Sequence, residues 1–424
     1  MTASRSYWMA TAPAFAGTAG APQATYDVVI VGAGFTGLTA ARTLAIAGLD
    51  VAVFEQGSVG EGASGRNGGH LSNGLAHSYV DAVQSLGREG ARKLYHTYDA
   101  SIDLIEEIIE DEGITCGFRR SGKLKLASKP GHVEALRANG DLIREEADPD
   151  VTFLDKDSLT SEIRSDTVFA GLLYPKSAMM HMGAYVHGLA TAVHRHGGQV
   201  FENCPVQHVQ RSGGFCNISV PAGHSRATHL ILAGGMTGAY LSDHVARQVL
   251  PIGSYVIATR PLTDAEIANT MPGDRTYVTS LNVGNYFRLA PDNRLIFGGR
   301  ARFSTKADES AATRSVPILR KSLTNLFPSL ASIEIDYAFG GLVDMSRDRF
   351  PRLGQTPDGA HYAIGLSGSG AQISALMGSA LAKRILGEQP SDVFATMTPK
   401  PFPRGAIWTL PLIGAHARLK DFIS

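Results

Sequence analysis

Gly32, Gly34 and Gly37 follow directly on the apolar run Val28 to Val31 in the segment YDVVIVGAGFTG. Glycines in this spacing after a strand let a backbone reach a pyrophosphate. The first allows the tight turn, the second lets phosphate oxygens approach main chain, and the third lets the next helix pack on the strand. A helix opening at Phe35 and Thr36 would then aim its free amides at the anion. The spacing alone is weak, so the residues after it decide. Leu38 to Ala47 is rich in Ala and Leu and predicts a helix, Gly48 suits its end, and Val51 to Phe54 predicts a second strand that closes in Glu55 and Gln56. Glu55 falls 23 residues beyond Gly32, close to the roughly 20 at which an acid accepts from ribose hydroxyls and disfavours a ribose 2′-phosphate. The order predicts a dinucleotide site not of the NADP kind; the bland alternative is a glycine turn in an unrelated α/β protein.

The elements that must position such a site have room to form. The chain has 424 residues, 44% hydrophobic and 18% charged, enough for two domains with buried cores. Lys+Arg and Asp+Glu balance at 39 each, so no global field gathers nucleic acid or an anionic membrane surface. Cys116, Cys204 and Cys216 are few, odd in number and far from C-x-x-C spacing, which argues against a disulfide framework or a metal site and for a reducing, cytoplasmic location. No apolar run approaches the roughly 18 residues of a membrane span. In the first 24 residues Thr11, Pro13 and Thr18 interrupt any signal-like apolar stretch, so this segment is read as a flexible or surface-draped lead-in rather than a secretion signal.

Strand and helix do not alternate continuously, which predicts an α/β (α+β overall) fold: a Rossmann-like nucleotide domain interrupted by a second domain with a mixed or antiparallel sheet plus helices. Residues 1–25 form the lead-in, 26–90, 178–250 and 338–424 the nucleotide domain, and 91–177 and 251–337 the inserted, substrate-binding domain. Within them, Asp81 to Asp111 and Val133 to Ala147 predict helices, Gln199 to Phe201 and His229 to Ala233 strands, and Asn285 to Ala290 with Arg294 to Phe297 a hairpin about Pro291–Asn293.

At Val59 to Gly69 the chain reads VGEGASGRNGG, too loaded with Gly, Ser and Asn for a core segment. This loop resembles the flavin-facing loop of the D-amino-acid-oxidase-like (DAO) family of FAD-dependent oxidoreductases, and GASGRNGG is most similar to its γ-glutamylputrescine oxidase branch. The resemblance runs on through the AGG after the third strand, YFRLAPDNRLIFGG, SRDRFPRLG, GLSGSGAQISALMGSALA and the FPRG tail. It implies FAD rather than NAD, and an oxidase of an amine or amino acid: CH–NH oxidation to an imine, hydrolysis to an aldehyde or keto product, and O2 reduced to H2O2. It also implies a cofactor site that adds Ala63, Ser64, Arg66, Asn67, Gly68 and Gly69, then Val206, Ala233, Gly234 and Ser346, and finally Gly368, Ser369, Gly370 and Ala371 at a helix start whose amides favour negative charge on the ring.

For the substrate side the resemblance points to His70, Tyr286, Arg288 and Arg300. Period two puts Tyr286 and Arg288 on one face of their strand. Arg288 is read either as a fork for a substrate carboxylate or as a structural ion-pair partner, and His70 as lining the cavity or capping the loop. Asn67 stands where some relatives carry a tethering His, so non-covalent FAD is expected. Ser369 and His70 depart from the branch's pattern, which leaves open a pipecolate-, glycine- or sarcosine-type substrate. A dehydrogenase passing electrons to a quinone or carrier, or a non-catalytic flavin subunit, are the other readings.

Overall fold

A computed structural model of the chain describes residues 6–75, 77–299, 309–388, 393–397 and 400–423. The apolar strand β1 (Thr25–Val31) lies at the centre of a sheet in the order Arg352–Gln355, His361–Ile364, Gly223–Leu232, β1, β2 (Val51–Phe54) and Gln199–Phe201. From His361–Ile364 to Gln199–Phe201 all pairings are parallel. Val28, Val29 and Ile30 have no exposed surface, as expected of a strand covered on both faces. Helix α2 (Phe35–Ile46) and the helix Gly370–Ile385 cross on one face; a Cβ on Gly378 would lie 2.4 Å from the Thr36 carbonyl oxygen, so this glycine sets how closely they pack.

The second sheet runs Ile335–Ser346, Val249–Pro261, Arg294–Gly299, Asn285–Leu289, Thr276–Thr279, Lys123–Ala127, Ala170–Tyr174 and Thr152–Leu154. It is antiparallel except where Thr276–Thr279 pairs Lys123–Ala127 in parallel. One face carries Tyr255, Ile257, Phe287, Leu289 and Phe297 against the helix Glu309–Leu326. The other carries Val256, Ala258, Ile296 and Tyr286 into the core shared with the nucleotide sheet. The candidate site lies along that shared core.

The α/β class and the mixed second sheet therefore agree with the sequence, but the expected cuts do not fall between elements. Position 90 lies inside α3 (Tyr79–Glu112), whose Leu94, Tyr98, Ile102, Ile105 and Ile108 pack into the nucleotide core. Positions 250 and 337 lie inside the long strands Val249–Pro261 and Ile335–Ser346, which belong to the second sheet and pass continuously into the first domain. The lead-in also differs from expectation: Ser6 caps a short helix, α1 (Tyr7–Thr11), and Tyr7 and Trp8 are buried in the core. Gly183 accommodates it, since a Cβ there would fall 2.1 Å from the Trp8 carbonyl oxygen. Among the described residues no helix is long and apolar enough to cross a membrane.

Candidate active site

At the end of β1, Gly32 has φ +104°, and a Cβ on it would meet the Gly234 Cα at 2.7 Å and the Ala233 oxygen at 2.9 Å. Its left-handed backbone brings the first glycine turn against the Ala233–Gly234 strand end, two segments 200 residues apart in sequence. A Cβ on Gly37 would sit 2.0 Å from the Gly32 oxygen, so only glycine lets α2 start this close to β1. Gly34 is the α2 N-cap and has no side chain to cap the helix; Ser64 Oγ accepts from the Phe35 amide at 3.0 Å. Glu55 Oε2 accepts from the Ala33 amide at 2.8 Å and Oε1 from Gly57 at 3.1 Å, so its carboxylate reaches the glycine loop, while burial raises its pKa. Thr36 is buried and Gln56 exposed.

The loop after β2 is knitted by its own side chains. Asn67 Nδ2 donates to the Ala63 and Ser64 oxygens at 3.1 and 2.8 Å, and Asn67 Oδ1 accepts from the Gly69 amide at 2.8 Å. Arg66 turns away, with Nε donating to the Glu61 oxygen at 2.6 Å. A third patch closes the cradle. Ser367 (φ +53°) and Gly368 (φ +92°) make the turn into Gly370–Ile385, with Ser369 at its N-cap and Ala371 in its first turn. Ser346 braces this turn: its amide and its Oγ both bond Ser367 Oγ, at 3.1 and 3.0 Å. Asp344 Oδ2 accepts from the Gly365 and Leu366 amides at 2.7 and 3.1 Å; burial lifts this carboxyl to about 6 against the pull of those amides. Val206 is buried in the core with Val29, Val31 and Phe54, its carbonyl taken by Tyr240 OH at 2.6 Å.

The substrate-side residues converge on the loop. The Tyr286 ring packs against Gly68 and stands edge-on to His70 with centroids 5.6 Å apart, and its OH meets Ser254 Oγ at 2.9 Å. His70, on the short strand β3 (His70–Leu71), has a buried Nε2 with no hydrogen-bond partner among the described residues. Burial, with Arg288 and Lys123 nearby, depresses its pKa to about 3, so the imidazole is neutral at physiological pH. Arg300 lies outside the described residues.

Arg288 shares the Tyr286 face and is held by main-chain carbonyls. It is 1% exposed, its Nη1 donates to the Gly69 and Met180 oxygens at 2.7 and 3.1 Å, and its guanidinium lies 5.2 Å from the Trp8 ring centroid. Among the described residues no carboxylate bonds it. Three further residues at the site escaped the sequence reading. Trp8 had no local signal. Asp344 lay in an unremarked strand end. Lys123 is buried beneath β3, its Nζ on the Asn73 oxygen at 2.5 Å and over the Tyr174 ring at 4.0 Å, with burial lowering its pKa to about 7. The alternation of Lys123 and Lys125 with Leu124 and Leu126 was the available clue.

A pyrophosphate cradle at one end, a glycine-rich loop and an amide-rich helix start at the other fit a two-ended dinucleotide such as FAD. Residues 27–384 match the family model of FAD-dependent oxidoreductases, DAO. The chain belongs to the DAO family. Among its DAO-family relatives, a probable oxidoreductase OrdL of Haemophilus influenzae is 33% identical, covering 85% of this chain and 83% of that one. The γ-glutamylputrescine oxidoreductase of Escherichia coli is 30% identical, covering 94% of this chain and 93% of that protein. The crystal structure of glycine oxidase from Geobacillus kaustophilus superposes with a TM-score of 0.75 at 22% identity, covering 88% of this chain and 99% of that one, so the fold is the same. This DAO-family chain is accordingly an FAD-dependent oxidoreductase acting on amine or amino-acid CH–NH donors.

Proposed function

We propose that this enzyme oxidises an amine whose reacting carbon bears no carboxylate, in the manner of the γ-glutamylputrescine oxidoreductase it resembles, and passes the electrons to O2. FAD, when bound, supplies the two-electron acceptor for the hydride leaving the carbon that bears nitrogen. What the chain must add is orientation of a neutral amine and exclusion of water. Tyr286, fixed by Ser254 and packed on Gly68, offers an aromatic wall at the loop. His70 is neutral, and its open Nε2 is available to an amine or its hydration partner. The amine nitrogen loses its proton to solvent, water adds to the imine, and the carbonyl product and the departing amine follow; O2 takes up two electrons and two protons as H2O2. The residue roles rest on the convergence of His70, Tyr286 and Gly68.

The observation that favours an amine over an α-amino acid is Arg288, the strand's cation on the Tyr286 face, whose Nη1 is taken by the Gly69 and Met180 carbonyls and whose Nε is taken by the Leu289 carbonyl, which supports a structural role over a carboxylate fork. Non-covalent FAD is supported by Asn67, whose amide is fully engaged within its own loop, and by three buried cysteines away from it. Acid precipitation would then leave the yellow colour in the supernatant. Those unpaired thiols also support a cytoplasmic setting. An oxygen electrode paired with a peroxide assay tests the acceptor: stoichiometric O2 loss and H2O2 gain with an amine are expected, whereas turnover only with a quinone or dye would make the enzyme a dehydrogenase.

A further inference from the structure

Three carbonyls of the flavin-facing loop accept hydrogen bonds from donors outside it. Ser6 Oγ reaches the Gly65 oxygen at 2.5 Å, Trp8 Nε1 the Asn67 oxygen at 2.7 Å, and Arg288 Nη1 the Gly69 oxygen at 2.7 Å. These donors come from the extreme N-terminal part of the chain and from a strand nearly 300 residues later, yet they form one unit. Ser6 caps the helix that carries Trp8, accepting from the Met9 amide at 3.2 Å. Trp8 lies under the Arg288 guanidinium, and Tyr7 OH bonds Asp292 at 2.8 Å in the turn that follows the Arg288 strand.

The fit leaves no slack. A Cβ on Gly69 would come within 2.8 Å of the Trp8 ring and 3.1 Å of Arg288 Nη1, and one on Gly65 within 2.5 Å of Met9 Sδ. Ser6, Trp8 and Arg288 are 1%, 0% and 1% exposed. Burying a guanidinium against carbonyls and an aromatic face, with no carboxylate partner among the described residues, is costly. Ordinary core filling would be served better by an aliphatic side chain. The arrangement makes sense where the loop's geometry itself must be fixed.

We infer that Ser6, Trp8 and Arg288 are positioning residues, a clamp that holds the carbonyls of residues 65–69 and thereby sets how this loop meets the flavin. Residues 6–8, near the start of the chain, are thus part of the cofactor site. The clamp acts on FAD through the loop, so its loss should register in cofactor affinity and spectrum as well as in turnover.

The test is reconstitution of apoprotein with FAD, followed by flavin fluorescence, with the visible spectrum and midpoint potential of each holoenzyme and thermal unfolding of apo and holo forms. Trp8→Phe keeps the ring and loses the bond to Asn67; the FAD Kd should rise about five-fold, the scale of one hydrogen bond. Trp8→Ala and Arg288→Met should raise it about ten-fold or more and displace the visible maximum and the potential. Arg288→Lys, which keeps the charge without the planar fork, should fall between Arg288→Met and wild type. An unchanged Kd, spectrum and potential in Trp8→Phe and Arg288→Lys, with apo and holo melting temperatures falling together, would reduce the three residues to core packing and overturn the inference. Should Trp8→Ala not fold, Trp8→Phe alone decides.

Discussion

The Tyr286 ring stands so close to Gly68 that a Cβ on that glycine would fall 2.6 Å from both Cδ2 and Cε2. On the other side, a Cβ on Gly298 would lie 2.3 Å from Cε2, so the tyrosine is held between a glycine of the 59–69 loop and a glycine of the neighbouring strand. The second sheet and the 59–69 loop meet at this ring.

Gly68→Ala should therefore displace Tyr286 while leaving the glycine turn at Gly32 intact. FAD content, read from the ratio of visible to ultraviolet absorbance, should stay near wild type, and kcat/KM should fall by about a hundred-fold, the scale of a displacement near 1 Å at a reacting centre. Full activity in a flavin-replete Gly68→Ala enzyme would remove Tyr286 from the site.

Gly37→Ala acts elsewhere. Its methyl would collide with the Gly32 carbonyl at 2.0 Å, a backbone atom that cannot rotate away, so β1 and α2 must separate. Overpacking of this kind costs about 1–3 kcal/mol. The variant should lose FAD on gel filtration and melt at lower temperature.

Arg288→Ala discriminates the substrate readings. With its Nη1 committed to two carbonyls, removal should impair carboxylate-bearing and simple amines alike, leaving the ratio of their KM values within about three-fold of wild type. A selective loss of the carboxylate-bearing substrate would restore Arg288 as a carboxylate fork.

Acid stability reports His70. Its folded pKa of about 3 lies below the unfolded value of 6.5, so the unfolded chain binds the extra proton and stability is lost as pH falls from 6.5 toward 3. His181 and His361, both lowered to about 4 chiefly by burial, act in the same direction; Asp344, raised to about 6, acts in the opposite one between its unfolded value and 6. Urea unfolding at pH 7 and pH 5 should show wild type losing up to about 2 kcal/mol more than His70→Asn over that interval. Equal losses would mean that His70 is not buried neutral.

What the sequence revealed followed the range of its signals. The strand, glycine turn, helix and acid from Tyr26 to Glu55 are local, and the structure places β1, α2 and β2 within a few residues of their expected limits. The period-two pairing of Tyr286 with Arg288 was also legible. What occupies the space in front of Arg288 was not, because Trp8, Gly69 and Met180 reach it from three distant segments. For the same reason the lead-in read as loose: Tyr7 and Trp8 bury only against residues far along the chain, such as Asp292 and Asn67. Position 90 falls within α3 because Gly87, at φ +73°, kinks that helix without ending it.

The most direct test is anaerobic mixing of the flavin-replete enzyme with a panel of amines, followed at the flavin's visible band. Rapid bleaching by an amine whose reacting carbon bears no carboxylate, γ-glutamylputrescine among them, with little response to glycine, sarcosine or pipecolate, is the expected result. Bleaching by the amino acids alone, or by no amine at all, would contradict it.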